Sequence, residues 1–203
     1  MINEKESSQN TPFGTSRLFR EGVGGKILVG TVGYHNLGNH SLGPALLPML
    51  QSLSWPEGVE VEEMNWGPIA IVQKFQSLQK AYDRVILLAA IERQERNIGD
   101  IDVFRWMGRL PDDEMIQACV GDAVTGVISV ENLLIIGEHF KIWPAETFIV
   151  DVEPGPETAG IEFTAEVQKV IPDFISTIRN LCIANNVESI KFKEIYGDTL
   201  TDA

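Results

Sequence analysis

Three short apolar runs constrain the fold of this chain more than any other feature. They are ILVGTV (residues 27–32), RVILLAA (84–90) and TFIVDV (147–152). Strands that alternate apolar and polar residues have one wet face, whereas continuous runs are typical of parallel strands covered on both faces. Segments with helical spacing separate these runs. The pattern predicts an α/β fold, a three-layer sandwich in which helices cover both faces of a mostly parallel sheet.

The remaining segments complete the predicted architecture. VEVEEM (59–64) alternates and predicts a second strand, and IDVFRW (101–106) follows RVILLAA after a link too short for a helical crossover, so it should pair antiparallel at an edge. The predicted helices are 42–53, 69–78, 128–140 and 164–185. Residues 1–25 are polar and aperiodic, which favours a flexible or surface-draped extension, and 26–203 form a single predicted domain.

The charge balance limits the classes of partner. The formal net charge is −13, from 16 basic and 29 acidic side chains. An acidic surface repels nucleic-acid phosphates and anionic membranes, so neither is an expected partner. It fits either a solvated surface or an acidic face for a basic partner.

The first residues do not resemble a signal peptide, and no apolar run approaches the ~20 residues of a membrane span, so we expect a cytoplasmic protein.

Polar residues cluster where a parallel sheet places its functional groups, in the loops beyond the carboxyl ends of the strands. Four loops qualify: 33–41, 65–68, 91–99 and 153–160. The first three contain the polar and aromatic candidates Tyr34, His35, Asn36, Asn39, His40, Asn65, Trp66, Glu92 and Glu95. The sequence therefore predicts a cleft at this end of the sheet.

The order and spacing of these motifs resemble the hydrogenase maturation endopeptidases, the nickel-dependent proteases that process the C-terminus of nickel–iron hydrogenase large subunits. GYHNLGNHSLG (33–43) occupies the place of the family's GxGNxxxGDDGxG loop, and EEMNWGP (62–68) that of a strand ending in DGGT. VILLAAI (85–91) corresponds to a VILVDAV strand. VDVEP (150–154) and GIEFTAEVQKVIP (160–172) correspond to a VxP turn and a GLTPxV-like helix entry. The resemblance covers residues 26 to about 185.

The resemblance implies three contacts to the nickel of the immature large subunit: a Glu or Asp, an Asp and a His. These positions fall on His40 (or Asn39 if the loop is shifted by one), on Asn65 and near Gly126. Ala90 replaces an aspartate at the end of the central strand. A divalent ion usually takes three anionic or imidazole ligands from protein, which this set does not supply.

A replacement metal site is one alternative, because His35 and Glu92 lie on loops that could bring them near His40. A dinucleotide site is another, since Gly30, Gly33 and Gly38 follow or end a strand, although their spacing is not GxGxxG. No catalytic residue can be assigned.

Two functions remain open. The first is a non-catalytic relative without cofactor that binds a protein or small molecule at the ancestral cleft, through Tyr34, Asn36, Asn39 and Trp66. Trp66 stands where the family has glycine, so its ring is expected to fill space that the substrate's tail would enter. The alternative is an active nickel-dependent endopeptidase that removes the C-terminal peptide of a hydrogenase large subunit.

Overall fold

The structure is a computed structural model that describes residues 25–93, 95–187 and 190–195. The predicted N-terminal extension, residues 1–25, lies outside the described residues except for Gly25.

The described residues form a central mixed sheet of six strands. Its strands are β1 (Ile27–Thr31), β2 (Val59–Glu63), β3 (Arg84–Ala90), β4 (Ile101–Arg105), β5 (Glu146–Val152) and β6 (Lys193–Glu194), in the order β2-β1-β3-β5-β4-β6. The pairs β1–β2, β1–β3 and β3–β5 are parallel, and β4 runs antiparallel to β5. The predicted mostly parallel sheet with one antiparallel pair of strands is confirmed, and β6 runs in the direction of β4.

The predicted edge position of β4 needs one amendment. The two-residue strand β6 pairs in parallel with β4 on its outer side, so β4 is next to the edge. Two residues are too few to give an alternating pattern, so the sequence carried no signal for this strand.

Five α-helices are present in the described part of the chain: α1 (Leu42–Ser52), α2 (Pro68–Ser77), α3 (Asp113–Thr125), α4 (Val130–His139) and α5 (Ala165–Ile183). Helix α3 was not predicted. It packs on α4 and Cys119 is its one buried residue, so it has almost no apolar face to produce a periodic pattern. Asp112 instead caps it, accepting a hydrogen bond from the backbone N–H of Met115 at 2.9 Å.

No single helix within the described ranges has the length and apolar character to cross a membrane. Helices α3 and α4 taken together are long and apolar enough by length and composition alone, but the chain bends by 106° between them.

Apolar side chains of the strands alternate between two cores, one on each face of the sheet. Ile86 and Leu88 of β3 face the first core, with α1 and α5, whereas Val85 and Leu87 face the second, with α2 and α4. Both faces of the sheet are therefore covered by apolar side chains, which explains why the sequences of these strands are continuous apolar runs.

The two cysteines of the chain, Cys119 and Cys182, are free and buried. Burial raises the pKa of both thiols, and that of Cys182 to about 12. A raised pKa leaves less of the reactive thiolate at about pH 8. We expect Ellman's reagent to modify the thiols of the native protein slowly and both thiols rapidly in guanidinium chloride. The Cys119→Ser variant shows which cysteine accounts for any reaction of the native protein. Rapid modification of two thiols in the native protein would contradict this burial.

Candidate binding cleft at the carboxyl ends of the strands

A cleft of about 240 Å³ opens at the carboxyl ends of β1 and β3. It is lined by residues 32–34, 37 and 40 from the loop after β1, by 89–92 from the end of β3, by 128–131 at the start of α4, and by Glu157. Of the sequence-predicted candidates, Tyr34, His40 and Glu92 line it. The other predicted residues lie elsewhere, and their contacts explain why.

Asn65, where the motif resemblance places the family's second aspartate, ties the end of β2 to the loop after β1. Its Oδ1 accepts a hydrogen bond from the backbone N–H of Gly33 at 2.9 Å, and its Nδ2 donates to Oε1 of Glu63 at 2.8 Å. The same carboxylate oxygen lies 3.3 Å from Nε2 of His35, whose side chain is 65% exposed. Both polar atoms of the Asn65 amide are thus engaged, and His35 lies outside the cleft lining.

His40 lies half-buried in the cleft wall. Its Nε2 is 2.9 Å from the carbonyl oxygen of Gly155, which can only accept, so Nε2 carries the proton. Nδ1 is then the lone-pair nitrogen of the neutral ring, the single atom through which His40 can accept a hydrogen bond or bind a ligand.

Asn39 fastens the start of α5 and is not in the cleft lining. Its side chain is buried and donates to the carbonyl oxygen of Pro154 at 2.8 Å and to Oγ1 of Thr164 at 3.2 Å. Its Oδ1 accepts from the backbone N–H of Thr164, the residue that caps α5, at 2.9 Å. An amide that both donates and accepts suits this position, and the contacts give it a structural role.

Asn36 takes part in a pair of backbone hydrogen bonds that join the loop after β1 to the loop after β5. Its carbonyl accepts from the N–H of Gly160 at 2.9 Å, and the N–H of Gly38 donates to the carbonyl of Gly160 at 2.8 Å. Asn36 has φ +64°, a conformation that Asn tolerates better than most residues. A Cβ on Gly38 would lie 2.6 Å from Oγ1 of Thr158, so glycine allows the two loops to approach. Asn36 itself is exposed and is not a lining residue.

Tyr34 closes one side of the cleft. Its hydroxyl accepts a hydrogen bond from the backbone N–H of Ile128 at 2.8 Å, and its side chain remains 40% exposed. This contact joins the loop after β1 to the α3–α4 connection. Gly126, which ends α3 in the left-handed conformation, precedes Ile128 by two residues and contributes no side chain.

Trp66 does not fill the cleft, contrary to what its position in the motif suggested. Its ring is 48% exposed and lies over Nζ of Lys74, which is 5.1 Å from the ring centre. Lys74 is on α2, so the ring packs along that helix through a cation–π contact and is not a lining residue.

A cluster of buried ion pairs between side chains lies behind the cleft. The sequence did not predict it. Asp151 of β5 is fully buried and accepts from Nε of Arg93 at 2.8 Å and Nη1 of Arg96 at 2.6 Å. Burial raises the pKa of Asp151, and the two guanidinium groups oppose this rise by favouring its charged form. The acids of VDVEP and the arginines of ERQER were a visible signal, but only the fold brings them together.

Glu153 extends this cluster to the cleft wall. Its Oε2 accepts from the backbone N–H of Arg93 at 2.8 Å and from Nε of Arg96 at 3.2 Å, and its Oε1 from the N–H of Gly155 at 3.3 Å. The carbonyl of Gly155 in turn holds His40. The cluster therefore fixes the orientation of the imidazole in the cleft.

The donor set does not fit a nickel site. No group of three or more His, Cys, Asp or Glu side chains in the described part of the chain is arranged to hold a metal ion. At the positions where the motif resemblance places the family's metal contacts, Nε2 of His40 is engaged with Gly155, the Asn65 amide is neutral and engaged, and Gly126 has no side chain. At these three positions a divalent ion would find no anionic ligand.

Comparison with solved structures identifies the architecture. The hydrogenase-maturating endopeptidase HybD from Escherichia coli matches with a TM-score of 0.55 and 20% identity over 75% of this chain and 89% of that one. The [NiFe] hydrogenase maturation protease HybD from Thermococcus kodakarensis matches with a TM-score of 0.51 and 16% identity over 77% and 99% of the two chains. A hydrogenase 2 maturation peptidase from a Thaumarchaeota archaeon matches with a TM-score of 0.50 and 19% identity over 75% and 95%.

No protein-family model matches the sequence, and the comparison with curated proteins found no match either. The likeness is therefore one of structure at low identity. This chain has the α/β fold of the hydrogenase maturation endopeptidases, as the motif resemblance predicted.

Proposed function

We propose that this protein is a non-catalytic relative of the hydrogenase maturation endopeptidases that binds a segment of a partner protein in the cleft. One observation carries the proposal: two residues that the motif resemblance places at the family's metal contacts are engaged in hydrogen bonds within the fold. Asn65 bonds to Gly33 and Glu63 through both polar atoms of its amide, and His40 bonds to Gly155 through Nε2. Side chains committed in this way support the shape of the cleft and are poor ligands for a metal.

Hydrogen bonds between neighbouring elements hold the walls of the cleft. The walls of the cleft are connected to neighbouring elements by the side chains of Asn65 and Tyr34 and by the backbone hydrogen bond between Gly38 and Gly160. A site held in this way requires little ordering when a ligand enters, which favours binding. The fold neighbours are named as hydrogenase maturation proteins, so the partner class that the comparisons suggest is a hydrogenase protein.

Metal binding separates this proposal from the endopeptidase alternative. We expect calorimetry with nickel to show weak binding that His40→Ala and His35→Ala change equally little. The reason is that a single imidazole nitrogen does not neutralise a divalent charge, and the described residues place no group of carboxylates around it in ligand geometry. His35→Ala is the control, because His35 is an exposed histidine outside the cleft lining.

Tight one-to-one nickel binding lost in His40→Ala but kept in His35→Ala would contradict the proposal.

A second test uses a hydrogenase large-subunit precursor loaded with nickel. Binding without loss of its C-terminal peptide is expected, and removal of that peptide by the wild-type protein would establish the endopeptidase alternative.

A further inference from the structure

The outward side of α3 is an apolar surface without a partner in the described part of the chain. Within this helix Cys119 is the buried residue. Val120 and Val124 lie four residues apart and therefore on one face, and they are 49% and 84% exposed. Gly121 lies beside them, and a Cβ added to it would have no heavy atom within 4 Å. Val120, Gly121 and Val124 form this surface, the α3 face.

The charge of α3 restricts what can cover the α3 face. Asp113 and Glu114 follow the capping residue Asp112 in the first turn, and the helix contains no Lys, Arg or His. A second copy of the face would bring another acidic helix, and like charges oppose each other at an interface. The complementary occupant is therefore a segment with basic residues beside apolar ones.

The chain itself contains such a segment, outside the described residues. Residues 17–20 have the sequence RLFR, in which Arg17 and Arg20 flank Leu18 and Phe19. The apolar pair matches the exposed valines of the α3 face, and the arginines match the acidic first turn of the helix. Both parts of the surface thus have a counterpart in one short segment.

The segment is close enough along the chain to reach the α3 face. β1 begins and β4 ends at the amino end of the parallel strands, and three strand spacings, roughly 14 Å, separate them. Val120 lies seven residues beyond Asp113 along α3, a rise of roughly 10 Å. Leu18 precedes Gly25 by seven residues, which span up to about 24 Å. This span covers both distances and leaves room for one helical layer.

We infer that the α3 face is a docking surface for residues 17–20 of the same chain. Leu18 and Phe19 cover its two valines, and Arg20 lies at the acidic first turn. Attachment to β1 gives the segment an effective concentration on the order of millimolar at the face, so a weak contact suffices. The α3 face is separate from the cleft lining, so this docking is independent of the proposed function.

Disulfide trapping in the full-length chain tests the contact. Ser16→Cys is combined with Gly121→Cys on the α3 face and, in a control chain, with Ile183→Cys. Ile183 is the last residue of α5, on the other face of the sheet, and is 61% exposed. Arg84 at the start of β3 holds this end of α5, so the control position lies at the amino end of the strands, where β1 also begins. The buried Cys119 and Cys182 are kept, and peptide mass spectrometry identifies the linked pair.

Under limiting oxidation we expect the 16–121 disulfide to form within one chain about tenfold faster than the 16–183 disulfide. Partial burial of two apolar side chains is enough for such a factor. L18S/F19S should remove this preference. I2S/F13S, which removes two apolar side chains elsewhere in the same part of the chain, should leave it unchanged.

Two results would overturn the inference of docking by residues 17–20. One is an equal rate for the two pairs, or a preference for residue 121 that survives L18S/F19S. The other is a 16–121 disulfide that forms between two chains in place of one, which would show that a second copy covers the α3 face.

Discussion

Replacement of Arg96 by Met is expected to lower the free energy of unfolding by about 3–5 kcal/mol, as is usual when one partner of a buried ion pair is removed. The carboxylates of Asp151 and Glu153, with side chains 0% and 4% exposed, would lose their shared guanidinium. Arg93 would remain for Asp151, but Glu153 would keep only backbone donors. Chemical denaturation measured by circular dichroism gives the free-energy difference.

Arg109→Met is the matched control. Arg109 lies 3.4 Å from Glu194, and the two side chains are 52% and 40% exposed. Such surface pairs contribute about 0–1 kcal/mol, so this variant should unfold almost as the wild type does. Equal losses in the two variants would show that the Asp151 cluster is no more important than an exposed pair.

The substitution Gly43→Ala is expected to destabilise the protein by about 3 kcal/mol, at the upper end of overpacking effects. Gly43 is in the first turn of α1, where the helix meets the sheet. A Cβ there would lie 2.7 Å from the carbonyl oxygen of Val32 and 3.0 Å from that of Leu88. Both are backbone atoms near the carboxyl ends of β1 and β3, so neither can turn aside as a flexible side chain would. The midpoint of denaturant unfolding measures the loss.

Gly121→Ala provides the opposite outcome from the same substitution. Gly121 lies within α3, and no heavy atom lies within 4 Å of its added Cβ. Alanine there should stabilise the helix by about 0.5–1 kcal/mol, because it restricts the unfolded chain more than glycine does. A Gly43→Ala protein as stable as Gly121→Ala would mean that α1 can move away from the strands without loss.

The elements that bury much apolar surface were the ones predicted correctly. RVILLAA and TFIVDV lie between two cores, so nearly all their side chains had to be apolar and the strands were apparent. Helix α3 was missed because it buries only Cys119. Prediction from periodicity succeeds where burial imposes a pattern, and α3 and the two-residue β6 lack one.

The predicted loops do meet at a cleft at the carboxyl end of the sheet, whereas several of the predicted side chains lie outside its lining. Loop positions follow from strand direction, which is why Tyr34, His40 and Glu92 were placed in the cleft. Asn39 and Trp66 occupy motif positions, but their side chains pack against α5 and Lys74. The direction of a loop side chain depends on partners distant in sequence, such as Thr164, which lies 125 residues from Asn39.

The sequence by itself determined the sheet, its direction and the end at which the cleft opens, because apolar periodicity and connection length are local properties of the chain. Residue types are read directly, so the sequence also places His40, Asn65 and Gly126, none of them a carboxylate, at the positions that the motif resemblance assigns to the family's metal contacts. Only the tertiary structure decided what the replacements do. Asn65 and His40 are tied to Glu63, Gly33 and Gly155, and Asp151 joins Arg93 and Arg96 across more than 50 residues, because such pairs depend on distances that arise when the strands assemble.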